Sequence, residues 1–463
     1  MKKRIVEQAA LPKRTEKERR RLMSARISAA PAGGSATRTH FSSAFSGGEG
    51  CKPSRRRHSP EARCQRSVSS AKGSILVLLL FLALPAYGGA WKLEIMGGKA
   101  LGSAYAGNAV ITEDASSVWF NPAAMTYLDE TTLTGGSAFI DLSIEHNDLG
   151  TTSLLGQPIN GPRVTEGGSF FPVPHGYMVV PVSDRLSFGI GFNTPFGLGT
   201  DYGETWVGRY QAVNTELLVY NLNPSVAWRV SEQLSIGGGI NIQYADGAFG
   251  EMIDFGSIGA VSGLPLVPQQ HDGKVEITGD DWMVGYNIGA IWEPIATTRL
   301  GATFRSGTTA KIEGPADFVV PPEAEALTGG GVFFQDSEAV AELPMPRTSS
   351  LSISHALSPR LKVLGDVTWT DWSEFAQLVI EFDDPTQDPV VQVTDWDDAL
   401  RVSLGGEYEM TDRWIVRFGV ADEPTPVRVT LALVHFDAHR AVGERLAARI
   451  ERHDLCSHGL PSA

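Results

Sequence analysis

Cysteine is nearly absent. Cys51, Cys64 and Cys456 are the only three in 463 residues, and none falls in 89–426. Disulfides therefore do not hold that segment together. Long apolar runs are also missing. The one sustained stretch, 75–84, covers ten residues, about half of what a membrane-spanning helix needs. There is no GxSxG, no HExxH, no phosphate-binding loop and no Cys/His cluster with ligand spacing, so the chain is read as neither an enzyme nor a cofactor or metal protein. The acidic pairs Asp280-Asp281, Asp383-Asp384 and Asp397-Asp398 read as solvated loop charges. His435 and His439 have the i,i+4 spacing of a metal pair, but they lie in a tail of unrelated character and read as an accident.

Charge is unevenly spread. Of 39 basic and 53 acidic residues, 18 and 5 lie in 1–72, which leaves 21 basic against 48 acidic beyond. Residues 1–71 carry KKR, KERRR and SRRRH without apolar periodicity. They read as a disordered basic extension ahead of a mis-assigned start. No nucleic-acid partner is expected, because a secretory signal follows over 72–90: Lys72, the run 75–84, then the small residues Pro85-Ala86-Tyr87-Gly88-Gly89-Ala90.

What the remainder holds in abundance is period-two alternation. Leu218, Tyr220, Leu222, Val226 and Trp228 share one parity, and Asn221, Asn223, Ser225, Ala227 and Arg229 the other. Ile236, Ile240 and Ile242 alternate with Gly237, Gly239 and Asn241, and Trp282, Val284, Tyr286 and Ile288 with Gly285, Asn287 and Gly289. Alternate residues face opposite sides of a sheet. The runs exceed the usual soluble strand, and Trp and Tyr recur near their ends, as in the aromatic girdles of outer-membrane barrels. Behind an export signal, the apolar parity is expected to face lipid and the polar parity the lumen.

The links agree. Tight polar turns (Ser183-Asp184-Arg185, Ser231-Glu232-Gln233, Ala296-Thr297-Thr298, Ser358-Pro359-Arg360, Thr411-Asp412-Arg413) alternate with long links near 146–174, 194–214, 247–280, 314–337 and 382–397. Short periplasmic turns and long outer loops have that rhythm. Eleven strands are expected, near 131–145, 176–182, 186–193, 215–230, 234–246, 281–294, 298–313, 338–357, 361–381, 398–410 and 413–421. The fold class is thus all-β, a transmembrane antiparallel β-barrel with barrel strands over 131–426. Bacterial barrels have even strand counts, and an open edge in lipid leaves backbone groups unpaired at several kcal/mol each. The barrel therefore reads as incomplete, and 427–463 as a non-barrel tail of the kind a shifted reading frame leaves.

The stretch 102–128 is rich in small residues, has no continuous apolar face, and by itself reads as a connecting loop with one turn of helix. Its sharp feature is Asn121-Pro122-Ala123, where Asn can cap a helical turn and Pro can take its first position. In the link 193–215, Phe196, Tyr202, Trp206 and Tyr210 stand beside Arg209. An exposed aromatic loop suits capture of an apolar ligand, with Arg209 meeting a carboxylate. The link 247–280 is also too apolar for a free loop and reads as a capping groove.

Three stretches, 104–128 with its Asn121-Pro122-Ala123, 186–213 continued by 216–245, and 364–375, resemble the FadL family of outer-membrane transporters for long-chain fatty acids and other hydrophobic compounds, including the toluene-type importers. The resemblance covers roughly 89–426. It implies a 14-stranded barrel with an N-terminal hatch, or plug, at 91–130 inside the lumen, so that three strands of that pattern are missing here. It implies that Asn121, Pro122 and Ala123 act in the hatch as gating residues. It places Gly189, Gly191 and Asn193 on the strand whose kink opens the wall sideways. The expected function is passive uptake of long-chain fatty acids or other hydrophobic molecules. Outer-loop capture by Phe196, Trp206, Arg209 and Tyr210 would precede hatch rearrangement and lateral release. The alternative is a general polar-solute porin, against which the plug and the apolar loops argue. Expected partners are the hydrophobic ligand, outer-membrane lipid and lipopolysaccharide, and the barrel assembly machinery, with the protein a monomer in the outer membrane of a Gram-negative bacterium.

Overall fold

The computed structural model describes residues 90–427, apart from Leu154, Asp412 and Arg413. The expected extension, the apolar signal run and the tail from residue 428 lie outside the described residues.

Small residues let the first forty described positions turn tightly. They form α1 (Gly98–Gly102), a 3-10 turn (Asn108–Val110), α2 (Ser117–Phe120) and a second 3-10 turn (Pro122–Tyr127). Asn121 sits in extended backbone and caps the second turn: its side chain accepts from the Ala123 amide at 3.0 Å, with Pro122 next in line. Asn fits because its short oxygen reaches the orphan amide, and Pro because that position needs no donor.

Seventeen strands follow: β1 (Thr132–Asp141), β2 (Glu145–Asn147), β3 (Val164–Glu166), β4 (Phe170–Ser183), β5 (Leu186–Asp201), β6 (Asn214–Arg229), β7 (Leu234–Asp254), β8 (Asp272–Ile295), β9 (Thr298–Arg305), β10 (Thr308–Val319), β11 (Ser337–Met345), β12 (Thr348–Ser358), β13 (Leu361–Thr370), β14 (Gln377–Phe382), β15 (Val390–Val393), β16 (Ala399–Thr411) and β17 (Trp414–Asp422). A short helix, α3 (Phe255–Val261), lies between β7 and β8. The antiparallel path runs β1-β4-β5-β6-β7-β8-β9-β12-β13-β16-β17, eleven strands, while β10, β11, β14 and β15 extend it at the end bearing the long links. Three expected strands are each broken in two. The run 298–313 bends at Ser306-Gly307, 338–357 at Pro346-Arg347, and 361–381 at the 3-10 turn Trp372–Glu374. The strand expected at 186–193 instead continues to Asp201. Among the described residues β1 pairs only with β4 and β17 only with β16, so both are edges.

The alternation sorts the two faces. On β6, Leu222 and Trp228 are 41% and 50% exposed, while Asn221 and Asn223 between them are at most 1%. The buried parity faces the N-terminal segment. A Cβ on Gly237 of β7 would lie 2.6 Å from the Ala123 amide nitrogen, one on Gly405 of β16 2.7 Å from the Ser103 carbonyl, and one on Gly102 3.1 Å from Arg417 of β17. Strands far apart along the path thus touch one short segment, and the sheet curls around it as a plug.

The lumen departs from expectation in one respect. Near the tight turns its lining is polar, with Ser225, Ser235, Asn241 and Asn287 buried. Toward the long links the same inner parity turns apolar, with Phe196, Leu217, Val219, Ala245, Ile277 and Ile312 in one buried cluster. The outer part of these strands lies beyond a bilayer's apolar band. β8 has 24 residues, roughly 80 Å at about 3.3 Å per residue, against a band of about 25 Å.

Candidate functional site

The plug is tied to the wall by polar and cationic contacts. Asn121 Nδ2 donates to the carbonyls of Ala109 at 2.7 Å and Ala290 of β8 at 3.2 Å. The Arg305 guanidinium lies 3.5 Å over the Trp119 ring and donates to the Trp119 carbonyl at 2.7 Å. Arg299 and Arg229 stand 4.7 and 5.3 Å from the Tyr127 ring. Thr126 and Ser235 hydroxyls meet at 2.8 Å. Asn121, Pro122 and Ala123 are all buried at the plug–wall contact.

A charged cluster fixes the stretch before the plug. Glu94 pairs with Lys92 at 2.5 Å and with Arg401 of β16 at 3.3 Å, and Arg401 reaches Asp366 of β13 at 3.6 Å. Burial alone would raise the Glu94 carboxyl, but Arg401 and Lys92 outweigh it and hold it at about 2.

The wall changes register at β5. Gly189 and Gly191 lie in regular ladder, paired with Val179 and Tyr177 on one side and Ser225 and Asn223 on the other. The irregularity begins after Asn193 and falls on Thr194 and Pro195. β4 pairs with β5 only as far as Gly176↔Phe192, so from Asn193 onward that edge of β5 has no β4 partner. The two glycines do something else. A Cβ on Gly189 would run into Met125 and Val118 of the plug, and one on Gly191 would lie 2.8 Å from the Tyr177 ring. They make room for the plug beside the wall. Asn193 is buried, accepts from Asn221 Nδ2 at 3.1 Å and donates to the Tyr177 hydroxyl at 3.2 Å.

The vacated edge of β5 is filled by the chain's own N-terminal segment. The Leu93 amide donates to the Pro195 carbonyl at 2.8 Å, the Gly197 amide donates to the Trp91 carbonyl at 3.0 Å, and Lys92 faces Phe196 as an antiparallel pair. Pro195 is tolerated because it stands at an edge position and contributes its carbonyl, not a donor. The Trp91 side chain is 1% exposed. Its ring centroid lies 4.7 Å from Phe375, 4.8 Å from Trp396 and 5.2 Å from Trp372, mostly edge to face. This cage belongs to the apolar cluster of the lumen.

The proposed capture residues are placed differently from the sequence expectation of an exposed loop. Phe196 lies in β5 and is buried in the apolar cluster. Trp206 is buried, stacks on Tyr202 at 4.2 Å, and donates from Nε1 to the Ala212 carbonyl at 2.7 Å. Arg209 is 4% exposed. It donates to Asp272 at 2.9 Å, to the Asn160 carbonyl at 2.9 Å and to the Tyr210 hydroxyl at 2.7 Å, and Tyr210 donates to Asp272 at 2.8 Å. Burial, then the Asp272 contact, raise the Tyr210 hydroxyl well above its ordinary value. The carboxylate Arg209 meets is therefore the chain's own. The group closes the link 202–213 against the start of β8.

Sequence reasoning did not select Trp91, Trp372, Phe375 or Trp396. A signal was present: Trp372 and Phe375 lie in the aromatic-rich run 369–375, and Trp91 opens the segment behind the apolar run 75–84. What linked them was contact across some 280 residues.

Two spaces adjoin these elements. A cavity of about 60 Å³ lies between plug and wall, bordered by Leu93, Trp119, Phe196, Arg305 and Arg401. A larger space of about 500 Å³ opens at the loop end, bordered by Phe171, Thr200, Glu204, Glu216 and Lys274. Phe171 of β4 packs onto Gly199 of β5, where a Cβ would overlap its ring. The arrangement offers an apolar cage that an internal side chain occupies.

Known proteins share this fold. The family model described as outer membrane protein transport protein (OMPP1/FadL/TodX) matches residues 79–432. The chain is 25% identical over 373 residues to a long-chain fatty acid transport protein of Escherichia coli O6:H1, covering 77% of this chain and 82% of that protein. It is 27% identical over 377 residues to outer membrane protein P1 of Haemophilus influenzae, covering 75% and 80%. Among solved structures, a Pseudomonas aeruginosa FadL homologue superposes with a TM-score of 0.67 at 25% identity, over 73% of this chain and 82% of that one. The P. putida toluene transporter TodX superposes at 0.56 with 15% identity, over 76% and 86%, a likeness of fold.

Proposed function

This chain belongs to the OMPP1/FadL/TodX family of outer-membrane transport proteins, and from that premise we propose that it takes up long-chain fatty acids or similarly hydrophobic molecules across the outer membrane of a Gram-negative bacterium. The observation that carries this reading is the placement of residues 91–93. They complete the ladder edge that β4 leaves open, and the same segment puts Trp91 into the aromatic cage. A ligand that takes the place of Trp91 removes the anchor of the strand that seals the wall. Binding and opening are then one event.

Magnitudes favour the exchange. Burying a C16 chain of roughly 14 methylenes is worth about 11 kcal/mol before ordering costs, at about 0.8 kcal/mol each. Extracting a buried Trp costs about 3–5 kcal/mol. In this reading Asn121, Pro122 and Ala123 hold the plug's geometry, and the Asn193–Phe196 irregularity is the lateral exit. The buried Phe196 contributes to the cage region, and Trp206, Arg209 and Tyr210 brace the outer loop.

The test is uptake of radiolabelled oleate by cells that lack their own fatty-acid outer-membrane transporter, with sugar-driven liposome swelling measured in parallel. Oleate uptake above the vector control, without swelling, is the expected result. Swelling by sugars without oleate uptake would overturn the proposal in favour of a polar-solute porin.

A further inference from the structure

The wall is interrupted a second time, on the far edge of β8. β8 pairs with β9 from Trp292↔Leu300 to Asn287↔Arg305, and with β10 again only at Asp280↔Glu313. Between these points residues 281–286 face 306–312 without ladder pairing. The register differs by one across the interval, so the longer side must bow.

Side chains replace the missing rungs. The Tyr286 amide donates to Ser306 Oγ at 2.9 Å, and the Lys311 amide donates to Asp281 Oδ2 at 2.8 Å. A backbone bond also spans the interval, Ser306 amide to Tyr286 carbonyl at 2.9 Å. The bowed strand leans inward. A Cβ on lumen-facing Gly285 would lie 2.8 Å from Ser306 Oγ and 3.0 Å from Thr308, and Thr308 Oγ1 donates to Gln243 Oε1 in the lumen at 2.9 Å. On the lipid side Trp282 and Val284 are 67% and 71% exposed, against 53% for Ile288 lower on the same strand. Their neighbour has withdrawn from beside them.

Position completes the case. Asn193, Asn221, Gln243 and Met283 are consecutive cross-strand partners, so this interruption lies on the same ladder row as the β5 irregularity. Ten residues of β8 separate Trp282 from Trp292, about the span of the apolar band for a tilted strand. The interruption therefore opens at the loop-end leaflet. The cavity between plug and wall is bordered here by Arg305, Ser306 and Thr308 from within and by Ile288 and Phe304 of the two parting strands.

We infer that the β8–β9/β10 interruption is a second lateral window, through which a hydrophobic compound admitted to the lumen by movement of the plug exchanges with the outer leaflet. This rests on the transport reading above and adds a route separate from β5. Opening it parts side-chain contacts and the Ser306–Tyr286 bond where regular ladder pairing is missing.

The test uses Val284→Cys in the full chain with Cys51, Cys64 and Cys456 replaced by Ser, labelled to completion with a bulky maleimide. Val226→Cys on β6, also lipid-facing, is labelled as the control. Folding is checked by heat-modifiable migration, and unlabelled variants are assayed beside labelled ones. Labelling Val284→Cys is expected to lower oleate uptake at least five-fold, with the Val226→Cys control within two-fold of its unlabelled form. A diazirine-bearing C16 fatty acid is expected to form adducts on Tyr286, Ile288 or Phe304. Equal uptake after full labelling at both positions, or adducts confined to β4, β5 and the plug, would overturn the window. If the unlabelled proteins fold but take up no oleate and bind no probe, it is the transport reading that fails.

Discussion

Replacing Trp91 by Ala tests whether the N-terminal segment is held shut by its indole. Trp91 is 1% exposed and touches Trp372, Phe375 and Trp396 with centroids 4.7–5.2 Å away. Truncating a buried Trp to Ala costs about 3–5 kcal/mol. In the open state the ring has left the cage, so nearly all of that cost falls on the closed state. At about 1.4 kcal/mol per decade the open population should rise by roughly 100-fold or more. The two backbone bonds at Leu93 and Gly197 and the Glu94 pairs remain, which keeps the segment in place most of the time. The assay is the maleimide labelling rate of Leu93→Cys in the cysteine-free background, with and without Trp91→Ala. The variant is expected to label about 100-fold faster, whereas Trp206→Ala, a buried Trp in the outer loop, leaves the rate unchanged. A Trp91→Ala rate within three-fold of the parent would refute the anchoring argument.

Gly237→Val should loosen the plug by about 1–3 kcal/mol, because its side chain would meet the Pro122–Ala123 backbone at 2.6 Å. Faster proteolysis of the plug is the readout, and Gly176→Ala, with open space around it, should be silent. Asn121→Ala removes the cap on Ala123 and two donations to carbonyls, and should cost about 1–3 kcal/mol by the same assay. Glu94 has its carboxyl depressed to about 2 from 4.5 in the closed state. Its stabilisation of the N-terminal segment is therefore complete above about pH 4.5 and is lost as pH falls through about 2. The labelling rate of Leu93→Cys in the parent, divided by that in Glu94→Gln at the same pH to remove the fall in thiolate, should rise as pH falls through that window. Arg209→Gln leaves Asp272 without its main partner and should loosen the link 202–213 by about 3 kcal/mol. Oleate affinity should change no more than that of its methyl ester, because Arg209 is committed within the chain.

The faces of the barrel were legible in the sequence because each strand meets two different surroundings. Leu222 and Trp228 must face lipid while Asn221 and Asn223 meet a polar lumen, and a one-residue slip would exchange them. The Asn121 cap was legible too, since it is satisfied within two residues. Features that depend on distant partners were not. Nothing local marks Asp272 as the partner of Arg209, 63 residues away, and an aromatic loop with one cation reads as a ligand trap until that carboxylate is placed. Pro195 reads as the end of a strand. It is carried inside β5 because β4 departs there and residues 91–93 supply the amide that its carbonyl accepts. The breaks at Ser306 and Pro346 escaped notice because alternation continues on both sides of them. The apolar outer lumen escaped because period two reports a change of face, not which face is wet.

The central claim is that residues 91–93 are the gate. Lys92 and Phe196 face each other as a non-hydrogen-bonded antiparallel pair, flanked by the Leu93–Pro195 and Gly197–Trp91 bonds. Such pairs bring Cα atoms to about 4.5 Å, close enough for a disulfide. The measurement is oleate uptake by the Lys92→Cys/Phe196→Cys protein, oxidised and then reduced, in the background without other cysteines. Loss of uptake on oxidation and recovery on reduction is the expected result. Uptake at the reduced rate by a protein shown by mass to be fully cross-linked would contradict the account.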